Sequence, residues 1–215
     1  MESRIELWVK LKVADLVVET AWFTLTEKLD FTGTIYGLSR YSCWFMDISG
    51  PDVESILDEL DGMVKLDSAF INQNKHRYSL IAERAGAGEG VLRRGDFRHE
   101  SDFVFRESTP EGGMLREAPQ FDLYACDCLI TAEENSGDYY LDRLSGRTGN
   151  ISIEDVKSGQ VWRLILKAGG RDRAADLVEK IAVTRSRREG LLLNPHFQEH
   201  RIIRIEKVSG TGSIK

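Results

Sequence analysis

Residues 154–208 read EDVKSGQVWRLILKAGGRDRAADLVEKIAVTRSRREGLLLNPHFQEHRIIRIEKV, and the order of elements in this stretch decides the fold. Just before it, Ile151 to Val156 alternates apolar and polar residues. Lys157-Ser158-Gly159-Gln160 supplies a turn, and Val161 to Lys167 alternates again. In that second strand Trp162, Leu164 and Leu166 share one face, while Val161, Arg163 and Ile165 share the other. Gly169-Gly170 breaks the alternation. Ala174, Leu177, Val178 and Ile181 then fall at i, i+3, i+4 and i+7, one stripe of a helix. Arg185, Arg187 and Arg188 lie near its expected end, where positive charge suits the negative pole of the helix dipole, and Gly190 suits its stop. After Leu191 to Pro195 the chain returns as a strand, Arg201 to Val208.

The first part of the chain offers a looser copy of that order. Ile5, Leu7, Val9, Leu11 and Val13 alternate with Glu6, Trp8, Lys10 and Lys12, which predicts an opening strand. Asp15 suits an N-cap, and Val18, Ala21, Trp22, Leu25 and Leu29 form a helical stripe ended by Thr32-Gly33. Thr34 to Ser49 reads as a hairpin turning near Gly37 to Ser42. Pro51 suits a first helical position, ahead of the stripe Val53, Ile56, Leu57, Leu60 and Val64. A last strand is expected at Arg77 to Ala82. The order β-α-β-β-α-β is that of a ferredoxin-like unit.

Residues 85–118 break the pattern. Gly86, Gly88, Gly90, Gly95, Gly112 and Gly113 punctuate them, and Phe103-Val104-Phe105 is their only strand-like run. Gly86-Ala87-Gly88-Glu89-Gly90 matches neither a dinucleotide nor a Walker loop, so a glycine-rich linker is expected. Arg93, Arg94, Arg98 and Arg106 with His99 make it locally basic, offset by Asp96, Glu100 and Asp102. Leu123 to Ile130 then reads as a strand and Asp138 to Leu144 as a short helix, opening a second β-α-β-β-α-β. The expected architecture is α+β: two tandem ferredoxin-like units, residues 1–84 and 119–215, joined by a linker at 85–118 and forming a pseudo-dimer. Each would carry helices on one sheet face and leave the other bare, showing Trp8 in the first and Val161 and Ile165 in the second. Covering one tryptophan is worth about 4–6 kcal/mol, so the bare sheets are expected to pack on each other or on a partner.

Whole-chain composition sets bounds. The chain has 215 residues, 41% of them hydrophobic, with three cysteines and a formal net charge of −6. That charge argues against nucleic acid as a partner. No apolar run is long enough for a membrane span, and the N-terminus lacks the layout of a secretory signal. Three cysteines do not make a disulfide framework, which fits a reducing cytoplasm.

Candidate chemistry is sparse. Cys126 and Cys128 with His196 and His200 lack the spacing of a zinc site. Cys43 and His76 lack a nucleophile motif. Asp58-Glu59, Asp61 and Glu133-Glu134 fall on polar helix faces and loops. Arg185, Arg187, Arg188, Arg201 and Arg204 could dock an acidic surface. Trp22 and Trp162 read as core, while Trp8 and Trp44 are interface candidates. No catalytic residue, metal or cofactor is expected.

Two segments carry a resemblance. Asp155 to Leu166, with Asp155-Val156-Lys157 and Gly159, is similar to a D-V-R-x-G-K segment, and Leu192-Leu193-Asn194-Pro195 to an L-x-N-P segment after a long helix. Both belong to PurS, the small subunit of bacterial and archaeal phosphoribosylformylglycinamidine synthase, an enzyme of purine biosynthesis. Gln160 stands where that family has lysine. The resemblance implies a duplicated PurS-like chain without catalytic residues of its own, serving as a subunit of an ATP-dependent amidoligase. Family members form dimers that bridge the synthetase and glutaminase subunits, so that ammonia passes between them. The complex converts phosphoribosylformylglycinamide, glutamine and ATP to phosphoribosylformylglycinamidine. Partner contacts, or self-association, are then expected at Trp8, Asp155, Lys157, Gly159, Gln160, Asn194 and Pro195. The rival from another class is a small-molecule-sensing regulatory module of the ACT type, also built from paired ferredoxin-like units.

Overall fold

Two tryptophans anchor matching rows of the sheet. Leu7 of β1 (Glu2–Leu11) lies opposite Trp44 of β2 (Ile35–Ser49) on one side and Leu80 of β3 (His76–Glu83) on the other. Cys128 of β5 (Leu123–Ala132) lies likewise between Trp162 of β6 (Ser152–Lys167) and Ile202 of β7 (Gln198–Val208). These relations come from a computed structural model of the chain, in which residues 1–83, 91–97, 122–132, 137–146, 149–186 and 190–208 are described. Among them the chain is mixed α+β. Seven strands form an antiparallel sheet in the order β4-β3-β1-β2-β6-β5-β7, with β4 at Val91–Gly95. The four helices are α1 (Leu16–Glu27), α2 (Val53–Leu66), α3 (Gly137–Ser145) and α4 (Arg171–Ala182). The order β-α-β-α-β thus occurs twice, from β1 to β3 and from β5 to β7.

Several expectations are corrected. The hairpin expected at Thr34 to Ser49 is one strand, and so is the strand-turn-strand expected at Ile151 to Lys167. The turns fail for the same reason in both places. A tight hairpin needs residues at positive φ, and neither Gly37 nor Gly159 adopts it. Pro51 precedes the helix it was expected to open, because the Asp52 carboxylate caps α2 by accepting from the Ser55 N–H at 2.8 Å. Residues 91–95 form β4 within the expected linker. Gly95 sits there at φ +110, where a Cβ would collide with the Tyr78 carbonyl, and Tyr78 and Asp96 exchange hydrogen bonds of 2.8 and 3.0 Å. Gly86 to Gly90 and Phe103 to Phe105 lie outside the described residues. Asp15 caps α1 as expected, accepting from the Val17 N–H at 3.0 Å.

Two compact units are present, and they divide the chain differently from a cut at 84 and 118. Unit 1 comprises residues 1–13, 41–98 and 134–159; unit 2 comprises 14–40, 99–133 and 160–215. Helix α1 therefore belongs to unit 2, and α3 to unit 1.

In unit 1, Ile5, Leu7, Trp44, Met46 and Ile48 of the sheet pack with Ile56, Leu57, Leu60 and Val64 of α2 and Leu144 of α3. Arg143 clamps α3 to the end of α2, its Nε and Nη2 donating to the two Asp67 oxygens at 2.9 and 2.8 Å. Trp8, expected on a bare face, is fully buried. Its ring meets Tyr41 edge-on at 5.4 Å, and Tyr41 stacks on Phe97 at 6.1 Å. Burying a large ring is favourable, and here that face is closed within the chain.

In unit 2, Val18, Ala21 and Leu25 of α1 pack with Cys126, Cys128, Trp162, Leu164 and Leu166 of the sheet and with Ala174, Val178 and Ile181 of α4. The second face is buried too, at Val161, Ile165, Leu123 and Ala125. The bare faces foreseen from the sequence are therefore closed in both units.

Candidate functional site

A groove of about 500 Å³ opens on unit 2 between α1, the sheet and the segment after α4. Its walls are Leu16, Val17, Thr20, Ala21 and Thr24 of α1, Arg40 of β2, Gln160 and Trp162 of β6, and Leu191 and Leu192. The volume falls in the range of sites that hold small molecules or side-chain anchors.

Local chemistry builds each wall. The Asp15 cap starts α1 and also receives Arg40, whose Nε and Nη2 donate to its two carboxylate oxygens at 3.0 and 3.2 Å. That fork holds the Arg40 guanidinium 5.8 Å from the centroid of the Trp162 ring, a cation–π arrangement. Leu16 and Val17 stay 77% and 48% exposed, an uncovered apolar start to the helix. On the far side, Gly190 adopts φ +71 with its Cα against the Val183 carbonyl, leaving no room for a Cβ. This bend lets the Leu191 and Leu192 amides bond the Ile181 and Ala182 carbonyls at 2.9 and 3.0 Å, setting both leucines at the rim.

Of the residues expected at a partner contact, Gln160 lines the groove. Asn194 and Pro195 follow Leu192 in an exposed turn, where the Asn194 side chain accepts from the His196 N–H at 3.1 Å. The Asn194 N–H in turn donates to Gln198 Oε1 at 2.9 Å. Asn72 builds the same turn: its side chain accepts from Asn74 N–H at 3.1 Å and its own N–H donates to His76 Nδ1 at 3.2 Å. Asp155, Lys157 and Gly159 belong to unit 1, where Lys157 pairs with Asp155 at 2.9 Å near solvent. Trp8 is fully buried.

The other candidates resolve into structure. Asp58 binds Arg94 at 2.6 Å, and Glu59 accepts from the Gly149 and Asn150 amides. Asp61 takes both Lys65 and the Tyr78 hydroxyl. That carboxylate raises Lys65; burial, then the Asp61 bond, raises Tyr78. Cys126 and Cys128 are fully buried, and desolvation pushes each thiol up to about 12. His200 bonds Glu179 at 2.7 Å while His196 lies in the exposed turn. Among the described residues no three His, Cys, Asp or Glu side chains converge as metal ligands do. Cys43 faces Trp8 across β1 and His76 faces Leu11, so the register parts them. Trp44, an interface candidate from sequence, is core. Arg185 lies beyond α4 and approaches Glu179 at 3.6 Å. Arg187, Arg188, Glu133, Glu134, Arg98, His99, Glu100, Asp102 and Arg106 lie outside the described residues. Among the described residues no helix is long and apolar enough to cross a membrane.

Sequence reasoning missed Arg40, Asp15 as its partner, and Leu16-Val17. Their signal was an N-cap followed by two apolar residues off the buried stripe. No family model, curated protein or solved structure matches the chain.

Proposed function

We propose that this chain is a non-catalytic assembly subunit of the phosphoribosylformylglycinamidine synthase type, a PurS-like cytoplasmic protein bridging synthetase and glutaminase subunits. In this reading it consists of two tandem copies of one ferredoxin-like unit, a pseudo-dimer in one chain. The doubled element order, the matching Trp44 and Trp162 rows and the twin Asn72 and Asn194 turns support the duplication.

One observation carries the assembly reading. The two sequence segments that resemble the family meet at a single groove: Gln160 from one and Leu192 from the other both line it. Because Asp155 to Gln160 is strand and not turn, what this segment contributes is the Gln160 side chain. An apolar groove with a polar rim is the form that partner contacts take.

The reading is tested by reconstitution. The synthetase and glutaminase subunits are assayed for product formation with glutamine or with ammonia as nitrogen donor, with and without this chain. The proposal expects only the glutamine-dependent reaction to require the chain; equal glutamine-dependent rates without it would rule the role out. The groove volume also suits a small ligand, which favours the ACT-like sensor as second reading. A metabolite that raises the melting temperature of the isolated chain, with no effect of the chain on the synthase reaction, would select it.

A further inference from the structure

Unit 1 gathers positive charge at one end of β1 and β3. Lys10 lies directly opposite Arg77 in the pairing of the two strands. The Lys12 N–H donates to the Lys75 carbonyl at 2.8 Å, so a second pair of like charges follows the first. Like charges set opposite each other across strands repel and are destabilising, and here they occur in a chain whose net charge is −6. Little in the fold answers them. Lys12 Nζ donates to a neutral acceptor, the Gln73 carbonyl, at 2.5 Å. Asp96 is the acid that acts on Lys10, and its Oδ1 already accepts from the Tyr78 N–H at 2.8 Å. Lys75 and Arg77 are exposed, and neither has an ion pair among the described residues.

Lys10 is not placed as a solvated surface lysine. It is half-buried, with Nζ 5.1 Å from the centroid of the Phe97 ring, which stacks in turn on Tyr41. Burial first, and the Arg77 charge second, hold its pKa below the ordinary lysine value; an anion beside it would act the other way. Two residues beyond Arg77 on the same strand face, opposite Trp8, the Ser79 hydroxyl is fully buried and has no hydrogen-bond partner among the described residues. A charge conflict and a leftover buried donor side by side break local rules in the way that functional sites do.

We propose that Lys10 and Arg77 form a binding site for the phosphate group of a small phosphorylated molecule. Directly opposite residues on neighbouring strands have their Cβ atoms about 4.5–5.5 Å apart, so the guanidinium fork and the ammonium can close on one tetrahedral oxyanion from two sides. A phosphate monoester carries about −1.5 to −2 charges at neutral pH, which offsets the two cations it joins. Lys12 and Lys75 extend the positive field toward solvent and raise the local concentration of anions. The Phe97 ring beside Lys10 leaves its ammonium open to a single group rather than to a row of charges, which favours a small phosphate ester over an acidic polypeptide. This site goes beyond the assembly role and does not depend on it.

The test uses the full chain and inorganic phosphate, titrated at constant ionic strength against chloride while backbone amide NMR shifts are followed. Saturable shifts clustered at residues 8–12, 75–79 and 96–97 are expected. Arg77→Thr and Lys10→Met each weaken binding by about tenfold or more. Arg77 is exposed, so its substitution leaves the fold intact, and the melting temperature of each variant in chloride reports that it is folded. Shifts that never saturate or that spread over the surface, or an unchanged affinity in either folded variant, would overturn the proposal. So would a hexaglutamate peptide that saturates the same shifts at a lower concentration than phosphate, a result that would assign the patch to an acidic protein segment.

Discussion

Arg163 grips Asp127 with two parallel hydrogen bonds, Nε to Oδ1 at 2.7 Å and Nη2 to Oδ2 at 2.6 Å, and both side chains are 1% exposed. The two residues lie directly opposite across β5 and β6. A slip of one residue in this pairing would part them and turn a charge toward the opposite core. Removing one partner takes the opposite charge away from the other inside the core. Asp127→Leu or Arg163→Met alone is expected to cost about 3–5 kcal/mol in urea unfolding, and the double variant less than either single. A double variant whose loss equals the sum of the singles would show that the pair is not coupled.

His76 gives the Asn72 turn a pH dependence. Burial first, and Lys75 second, hold the imidazole below its ordinary value, and its Nδ1 accepts from the Asn72 N–H. Protonation turns that acceptor into a donor. A folded pKa below the unfolded one means stability present above about pH 6.5 and lost as pH falls through the folded value. Gln198 does the same work for Asn194 with an amide that does not titrate. His76→Gln is therefore expected to keep the turn and flatten the stability profile between about pH 5 and 7. An unchanged profile would mean that another group carries it.

Cys126 and Cys128 should be inert in the native state. Their pKa values, raised to about 12 chiefly by desolvation, leave no thiolate near neutrality. Ellman's reagent at neutral to mildly alkaline pH should react with them only after unfolding. The sign of the linkage follows. From about pH 9 the unfolded chain releases thiol protons that the native state keeps, so stability falls as pH rises, by about 1.4 kcal/mol per pH unit for each thiol. Rapid labelling of either cysteine in the native protein would contradict the burial.

Tyr140→Ala should open a cavity beside Trp44 and Phe70, whose rings it meets at 5.5 and 5.2 Å. Tyr140 is partly buried, so the loss is expected at about 2–3 kcal/mol, below that of a fully buried ring. An unchanged unfolding midpoint would show that the Tyr140 ring adds nothing to the packing around Trp44.

Much of the fold was legible where periodicity is strong. The buried faces of α1, α2 and α4 and the Asp15 cap were legible, because a helix core face repeats at a spacing no strand shares, but the helix ends were not: α1 stops at Glu27, before Leu29 and Thr32-Gly33, and α4 at Ala182, before Arg185 and Gly190. What failed were turns and partners. Gly37 and Gly159 look like turn glycines, yet a glycine is compatible with extended backbone, and only the neighbouring strands decide. The assignment of α1 to unit 2 and α3 to unit 1 was invisible, since an apolar stripe does not say which sheet it covers. The same gap explains Trp8: alternation assigned it to a face but not to what closes that face. Of the groove, Gln160 was among the contact residues expected from sequence, whereas Arg40 and Leu16 become neighbours only through the placement of α1.

The most direct measurement is native co-purification of the tagged full chain, with the mass of the eluted assembly fixed by light scattering. The account predicts an assembly containing the synthetase and glutaminase subunits in fixed ratio. A chain that elutes without either subunit, in the presence of glutamine and nucleotide, would contradict it.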